Sequence, residues 1–212
     1  MKSTAPAPAT IRYAAYLKAE AGRRKVELTK KPGRFRPPTF HLPPSDVTDH
    51  RFMGEALKEA RKALARGEFP VGCVIVYRER VVARGRRRGT AGGNGNELDH
   101  AEIMALRRLA RLTPGPEAAA VTAFCTMEPC LMCFSAFMLH GIGSIVYAYE
   151  DVMGGGTACP RASLNPLYRD SRIVVRGGVR RSESLEMFKA FFADPTRSYW
   201  SASQLAAYTL KQ

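Results

Sequence analysis

His100-Ala101-Glu102 stands thirty positions ahead of Pro129-Cys130-Leu131-Met132-Cys133, and any fold of this chain has to bring the two segments together. One histidine and two cysteines a helical turn apart are three soft-to-borderline ligands for tetrahedral zinc, which leaves a fourth position for water. A glutamate two residues after the histidine is too close to be a second ligand at helical spacing, but it is well placed to exchange protons with that water. Bound zinc lowers the pKa of its water toward about 7, and a carboxylate outside the metal shell then manages the proton. The pattern therefore predicts a catalytic site with His100, Cys130 and Cys133 on the metal and Glu102 as the acid-base group.

The local sequence puts both ligand sets at helix starts. Pro129 suits a helix entry, so Cys130 and Cys133 fall on its first turn, where the helix dipole favours thiolates. Asp99 is a candidate cap for a helix from about His100 to Arg111, with Ile103, Leu106, Leu109 and Ala110 on the buried stripe. A structural zinc would be closed by a fourth Cys or His, for which Cys73, Cys125, Cys159, His41, His50 and His140 are available. Cys73 and Cys125 lie in apolar strand-like runs and read as small hydrophobes. His140, just before Gly141, reads as a partner of a helix C-terminus. Cys159 reads as a loop residue.

This H-x-E and P-C-x-x-C signature is that of zinc nucleobase deaminases. Phe52 to Leu57, Glu68 to Val76, His100 to Arg107, Met127 to Cys133 and Met138 to Ile142 resemble the bacterial tRNA-specific adenosine deaminase family. The resemblance covers roughly residues 50 to 157, with a weaker echo to about 192. It implies a cytidine-deaminase-like α/β fold, three-layer α/β/α with a mixed central sheet, one zinc per chain, tRNA as partner and a homodimer. In that family an asparagine in a Trp-Asn-Arg step after the second strand hydrogen-bonds the substrate purine. Here the step is Gly85-Arg86-Arg87-Arg88, so Arg87 stands in its place, and Asn94 and Asn96 in the following loop are further candidate substrate contacts. The loop after Asp151 departs from the family's small-residue pattern, and Tyr199 to Gln212 replaces its basic C-terminal tail.

Periodicity supports the same architecture. A helix is expected over Asp49 to Arg66, strands near Val71–Tyr77 and Arg80–Gly85 joined by an Arg78-Glu79 turn, and the His100 helix. Then come a strand at Val121–Cys125, the Cys130–His140 helix, strands at Ser144–Tyr149 and Ser171–Val175, and a helix over Ser182–Phe192. Alternating strands and helices imply helices on both faces of a sheet.

Charge divides the chain. Residues 1–45 hold ten Lys or Arg against two Glu, +8 of the total +14, with seven of the fourteen prolines. They read as a basic, partly disordered extension, either an RNA phosphate-binding arm or a solvated linker; 46–195 reads as the deaminase domain and 196–212 as a tail. Arg84, Arg86, Arg87 and Arg88 read either as a phosphate clamp or as a solvated strand end. No apolar run reaches membrane-span length, and an odd count of five cysteines argues for a reducing compartment, so a cytoplasmic enzyme is expected. Three functions stay open: deamination of adenosine in tRNA, deamination of a free base, nucleoside or nucleotide such as cytosine, guanine or CMP/dCMP, and RNA binding without turnover.

Overall fold

A computed structural model describes residues 47–93 and 95–212, so the basic extension 1–45 and Asn94 lie outside the described residues. The elements are α1 (Val47–Leu64), β1 (Gly72–Tyr77), β2 (Arg80–Arg86), α2 (Ala101–Leu109), β3 (Thr122–Met127), α3 (Leu131–His140), β4 (Ser144–Tyr149), α4 (Pro166–Arg169), β5 (Val174–Arg176), α5 (Arg181–Ala193) and α6 (Gln204–Leu210). The sheet order is β2-β1-β3-β4-β5; β1 runs antiparallel to both neighbours, and β3, β4 and β5 are parallel.

Side chains alternate across a strand, so a sheet covered on both faces needs apolar residues at consecutive positions. Cys73, Ile75, Ala123, Cys125 and Ile145 enter one core with Ala105 of α2 and Phe134 and Phe137 of α3. Val74, Val76, Phe124 and Val146 enter the other, against Phe52, Met53, Ala56, Leu57 and Ala60 of α1. The mixed sheet between helical layers is the architecture that the sequence implied. Arg78 and Glu79 both have positive φ, 47° and 57°, the backbone of a tight hairpin turn whose twist matches its strands.

Four local expectations need correction. Asp99 does not cap α2: its carboxylate accepts from Asn96 Nδ2 at 2.9 Å and Arg107 Nη1 at 3.0 Å, and His100 itself takes the N-cap position. The buried stripe of α2 is Ala101, Glu102, Ala105, Leu106 and Leu109, because the helix packs across β1 and β2 and turns Ala110 outward. The last strand is only Val174–Arg176, since it pairs with β4 through Ser144–Val146 alone. Residues 196–212, expected to trail the domain, carry α6, whose Leu205 is fully buried in the core that holds α5.

Gly85 explains where the histidine segment sits. A Cβ there would collide with the Ala101 carbonyl oxygen and lie 2.7 Å from Ala105 N, so only glycine lets the start of α2 rest directly on β2.

Candidate active site

His100 and Cys130 are the N-cap residues of α2 and α3, and Cys133 lies in the first turns of α3, so both ligand segments meet at helix N-termini. His100 Nδ1 lies 3.6 Å from Cys130 Sγ and 3.5 Å from Cys133 Sγ. Tetrahedral zinc with Zn–S near 2.3 Å and Zn–N near 2.05 Å separates nitrogen from sulfur by about 3.6 Å. The donor atoms of the three residues all lie within 4.8 Å of one another, and no other such cluster occurs among the described residues. Type, number and spacing of the donors fit zinc.

The electrostatics fit as well. A hydrogen bond from Cys133, helped by His100 and opposed by burial, lowers the Cys130 thiol to about 4, while the Cys130 sulfur, burial and Glu102 push Cys133 up. Burial disfavours a charged His100 ring, yet the bond to Cys130 and the Glu102 charge outweigh it and raise its pKa. Glu102 is 3% exposed, its Oε2 accepts from Cys133 Sγ at 3.6 Å, and burial raises its carboxyl against the pull of His100. Cys73 and Cys125 are fully buried with their sulfurs 3.8 Å apart and their thiols raised by burial, hydrophobes as expected.

A cavity opens beside these groups. His100, Glu102 and Cys130 line it together with Phe69, Tyr199 and Trp200. Tyr199 and Trp200 stack at 5.0 Å, and both meet Phe69 edge-on. Trp200 has a φ of 53°, a left-handed conformation uncommon for a bulky residue and typical of functional sites. No sequence signal marks this wall, because nothing in Tyr199-Trp200 says that this segment returns to the pocket.

The candidate substrate contacts separate. Arg87 is 2% exposed and lines the cavity. Its Nη2 donates to Glu97 Oε2 at 2.9 Å and to the Tyr199 hydroxyl at 3.1 Å; the hydroxyl in turn donates to Glu97 at 2.9 Å. Asn96 is taken up by its own loop: Oδ1 accepts from Leu98 N and Asp99 N, and Nδ2 donates to Asp99. Asn94 lies outside the described residues. The arginine cluster is mostly paired, Arg84 with Glu55 at 2.8 Å and Arg86 with Glu59 at 3.2 Å, which leaves Arg88 as its exposed member. Two acidic residues that the sequence reading passed over hold the loops: Glu68 accepts from Gly89 N, Thr90 N, Thr90 Oγ1 and Ala91 N, and Glu128 from Asp151 N and Thr157.

Residues 46–149 match the cytidine and deoxycytidylate deaminase zinc-binding region. The tRNA-specific adenosine deaminase of Streptococcus pyogenes serotype M18 is 32% identical over 142 residues, 66% of this chain and 87% of that protein. The tRNA(Ile)-lysidine synthase of Deinococcus radiodurans is 36% identical over 155 residues, 70% of this chain, and the match spans only 25% of that longer protein. Among solved structures, one from a study of A-to-I editing by tRNA:A34 deaminases aligns with a TM-score of 0.53 and 30% identity, over 65% of this chain and 98% of that one. A guanine deaminase from Nitrosomonas europaea shares the fold with a TM-score of 0.54 at 20% identity, over 72% and 94% of the two chains. With His100, Cys130 and Cys133 gathered inside the matched region, the chain belongs to the zinc-binding cytidine and deoxycytidylate deaminase family, on the branch that includes the tRNA-specific adenosine deaminases.

Proposed function

We propose that the protein hydrolyses the ring amine of an amino-purine or amino-pyrimidine, converting it to the oxo form with release of ammonia. The observation that carries this is Glu102, a buried carboxyl on the wall of an aromatic-lined cavity, 3.6 Å from one thiol of the metal triad. Zinc held by His100, Cys130 and Cys133 supplies a Lewis acid that makes water nucleophilic near neutral pH. Glu102 takes one proton from the attacking water and delivers it to the ring nitrogen, then carries the second from the new hydroxyl to the departing amine, so one water is consumed for each ammonia released. Burial raises its pKa, which favours the protonated form that a proton donor needs.

Two substrate settings each have support. Adenosine in tRNA, extruded into the pocket, is favoured by relatives that carry that name at 32% identity. A free base, nucleoside or nucleotide is favoured by Tyr199 and Trp200, which wall the cavity from the chain's own C-terminal segment. We further propose a homodimer that works in the cytoplasm; the likeness to the tRNA deaminases supports the setting, and no described helix is long and apolar enough to cross a membrane. Light scattering at micromolar concentration checks the dimer.

The test is ammonia release by the zinc-loaded protein on bulk tRNA, adenosine, guanine, cytosine, cytidine and their monophosphates, with Glu102→Gln as the blank. Turnover that disappears in Glu102→Gln while zinc is retained is the expected result. Equal release by both proteins, or by neither, overturns the reading; salt-sensitive RNA binding without release would leave an RNA-binding protein.

A further inference from the structure

Arg87 directly follows β2 and is buried, and its guanidinium is fixed on one side. Nη2 is engaged by Glu97 and the Tyr199 hydroxyl, and the Tyr199 ring lies 5.7 Å from the guanidinium carbon. Burial pushes the Tyr199 phenol to about 12, so at neutral pH it remains a hydroxyl that accepts from Arg87 and donates to Glu97. Nη1, on the other side of the fork, is buried and has no hydrogen-bond partner among the described residues. An unmet buried donor on a charged group costs on the order of 1–3 kcal/mol, so the arrangement makes sense where the acceptor arrives with a ligand. Arg87 lines the same cavity as Glu102 and His100, which places that ligand in the reaction pocket.

The chemistry of the acceptor follows from charge. A guanidinium has donors and no acceptor. The Glu97 carboxylate already balances the Arg87 charge, and the carboxylates on the cavity wall are Glu102, Glu128 and Asp151. A phosphate brought to Nη1 would meet three carboxylates beside a neutralised cation. A neutral carbonyl oxygen meets the need of Nη1 without adding charge. Guanine carries such an oxygen beside a ring-nitrogen acceptor, and cytosine carries one on the carbon that shares a ring nitrogen with its amine-bearing carbon. Adenine has no oxygen, and on its major-groove edge the N7 acceptor adjoins a donor amine that a guanidinium repels.

We propose that Arg87, held by Glu97 and Tyr199, is the specificity-determining residue of this pocket: its Nη1 donates to a ring carbonyl oxygen, so the pocket prefers an amine-bearing base that also carries an oxo group, of the guanine or cytosine kind, over adenine. The proposal rests on the deaminase reading for its consequence in turnover, but base binding tests it separately.

The experiment titrates zinc-loaded Glu102→Gln protein calorimetrically with guanine, cytosine and adenine, with and without Arg87→Met. Arg87→Lys, which keeps the charge without the planar fork, serves as a second variant should the methionine protein fail to fold. Guanine or cytosine is expected to bind at least roughly tenfold more tightly than adenine, the scale of one charge-assisted hydrogen bond. That preference should vanish in either Arg87 variant at unchanged zinc content. Adenine binding as tight as the oxo bases, a preference that survives both variants, or no binding of any base overturns the proposal. Ammonia release by the unmodified protein separates the two readings. Release from adenosine in tRNA alone keeps the deaminase and removes the Arg87 assignment; oxo-base preference without any release does the reverse. Single-stranded RNA containing cytosine or guanine, run beside the free bases, tells whether the preferred base is taken free or from a polymer.

Discussion

The Glu97 carboxylate stands 3.9 Å from His100 Nε2, on the far side of the ring from the nitrogen that faces the two thiols. Metal-binding imidazoles commonly turn their second nitrogen toward a carboxylate, which fixes the ring's tautomer and strengthens the ligand. The same Glu97 oxygen accepts from Arg87 and from Tyr199, so a single carboxylate stands between the His100 ring and the cavity wall.

Glu97→Gln should therefore weaken zinc binding by about tenfold, the scale found for such outer partners. Competition with a chelator of known affinity measures it. Unchanged affinity would mean that the ring is oriented by the N-terminus of α2 alone.

Removing a ligand should be far more severe. His100→Ala and Cys130→Ala leave two donors, too few for a tetrahedral site with one open position, and both variants should purify with little zinc. Metal analysis of the dialysed proteins reads this directly; full occupancy in either would assign the site to other residues.

Gly85→Ala tests how the site is positioned. Its new Cβ meets the Ala101 carbonyl, one residue from His100, and backbone cannot swing aside as a side chain can. The expected cost is about 1–3 kcal/mol, with a loss of zinc affinity out of proportion to the loss of stability. Denaturant titration beside chelator competition separates the two effects.

Glu68 gives a pH dependence. Burial works to raise its carboxyl, but hydrogen bonds from Thr90, Gly89 and Ala91 hold it below the ordinary range of 4.5. A carboxylate lowered in the folded state contributes stability in full above its unfolded pKa and loses it as pH falls through the folded value. Unfolding free energy should thus drop below roughly pH 4.5 more steeply in the unmodified protein than in Glu68→Gln. At neutral pH Glu68→Ala should cost about 2 kcal/mol and loosen the loop that follows Arg87. Parallel pH slopes in the two proteins would contradict the assignment.

The chain end is a structural part of the domain. Leu205 is fully buried, and the Thr209 hydroxyl pairs with the buried Tyr149 hydroxyl at 2.9 Å. Leu205→Ala should cost about 2–5 kcal/mol, a fall of roughly 5–15 °C in Tm, and shift base binding through the Tyr199-Trp200 wall. Thermal unfolding with and without ligand measures both.

The sequence by itself determined the layered fold and marked out the candidate metal triad with Glu102 beside it. Ligand chemistry is local: a proline and two cysteines one turn apart define a helix start wherever that helix is docked. Consecutive apolar residues such as Val74-Ile75-Val76 announce a strand covered on both faces. What it left undecided depends on residues far apart in the chain. Asp99 looked like a cap because its rivals for hydrogen bonds, Asn96 and Arg107, act only once the loop has folded. Four arginines in five positions looked like a free cationic patch until α1 brought Glu55 and Glu59 against Arg84 and Arg86. Arg87, Glu97 and Tyr199 span 112 residues and share no local pattern. Only the packing of the C-terminal segment against the pocket makes them one wall, because the burial that leaves Arg87 Nη1 without a partner among the described residues exists in the tertiary structure alone.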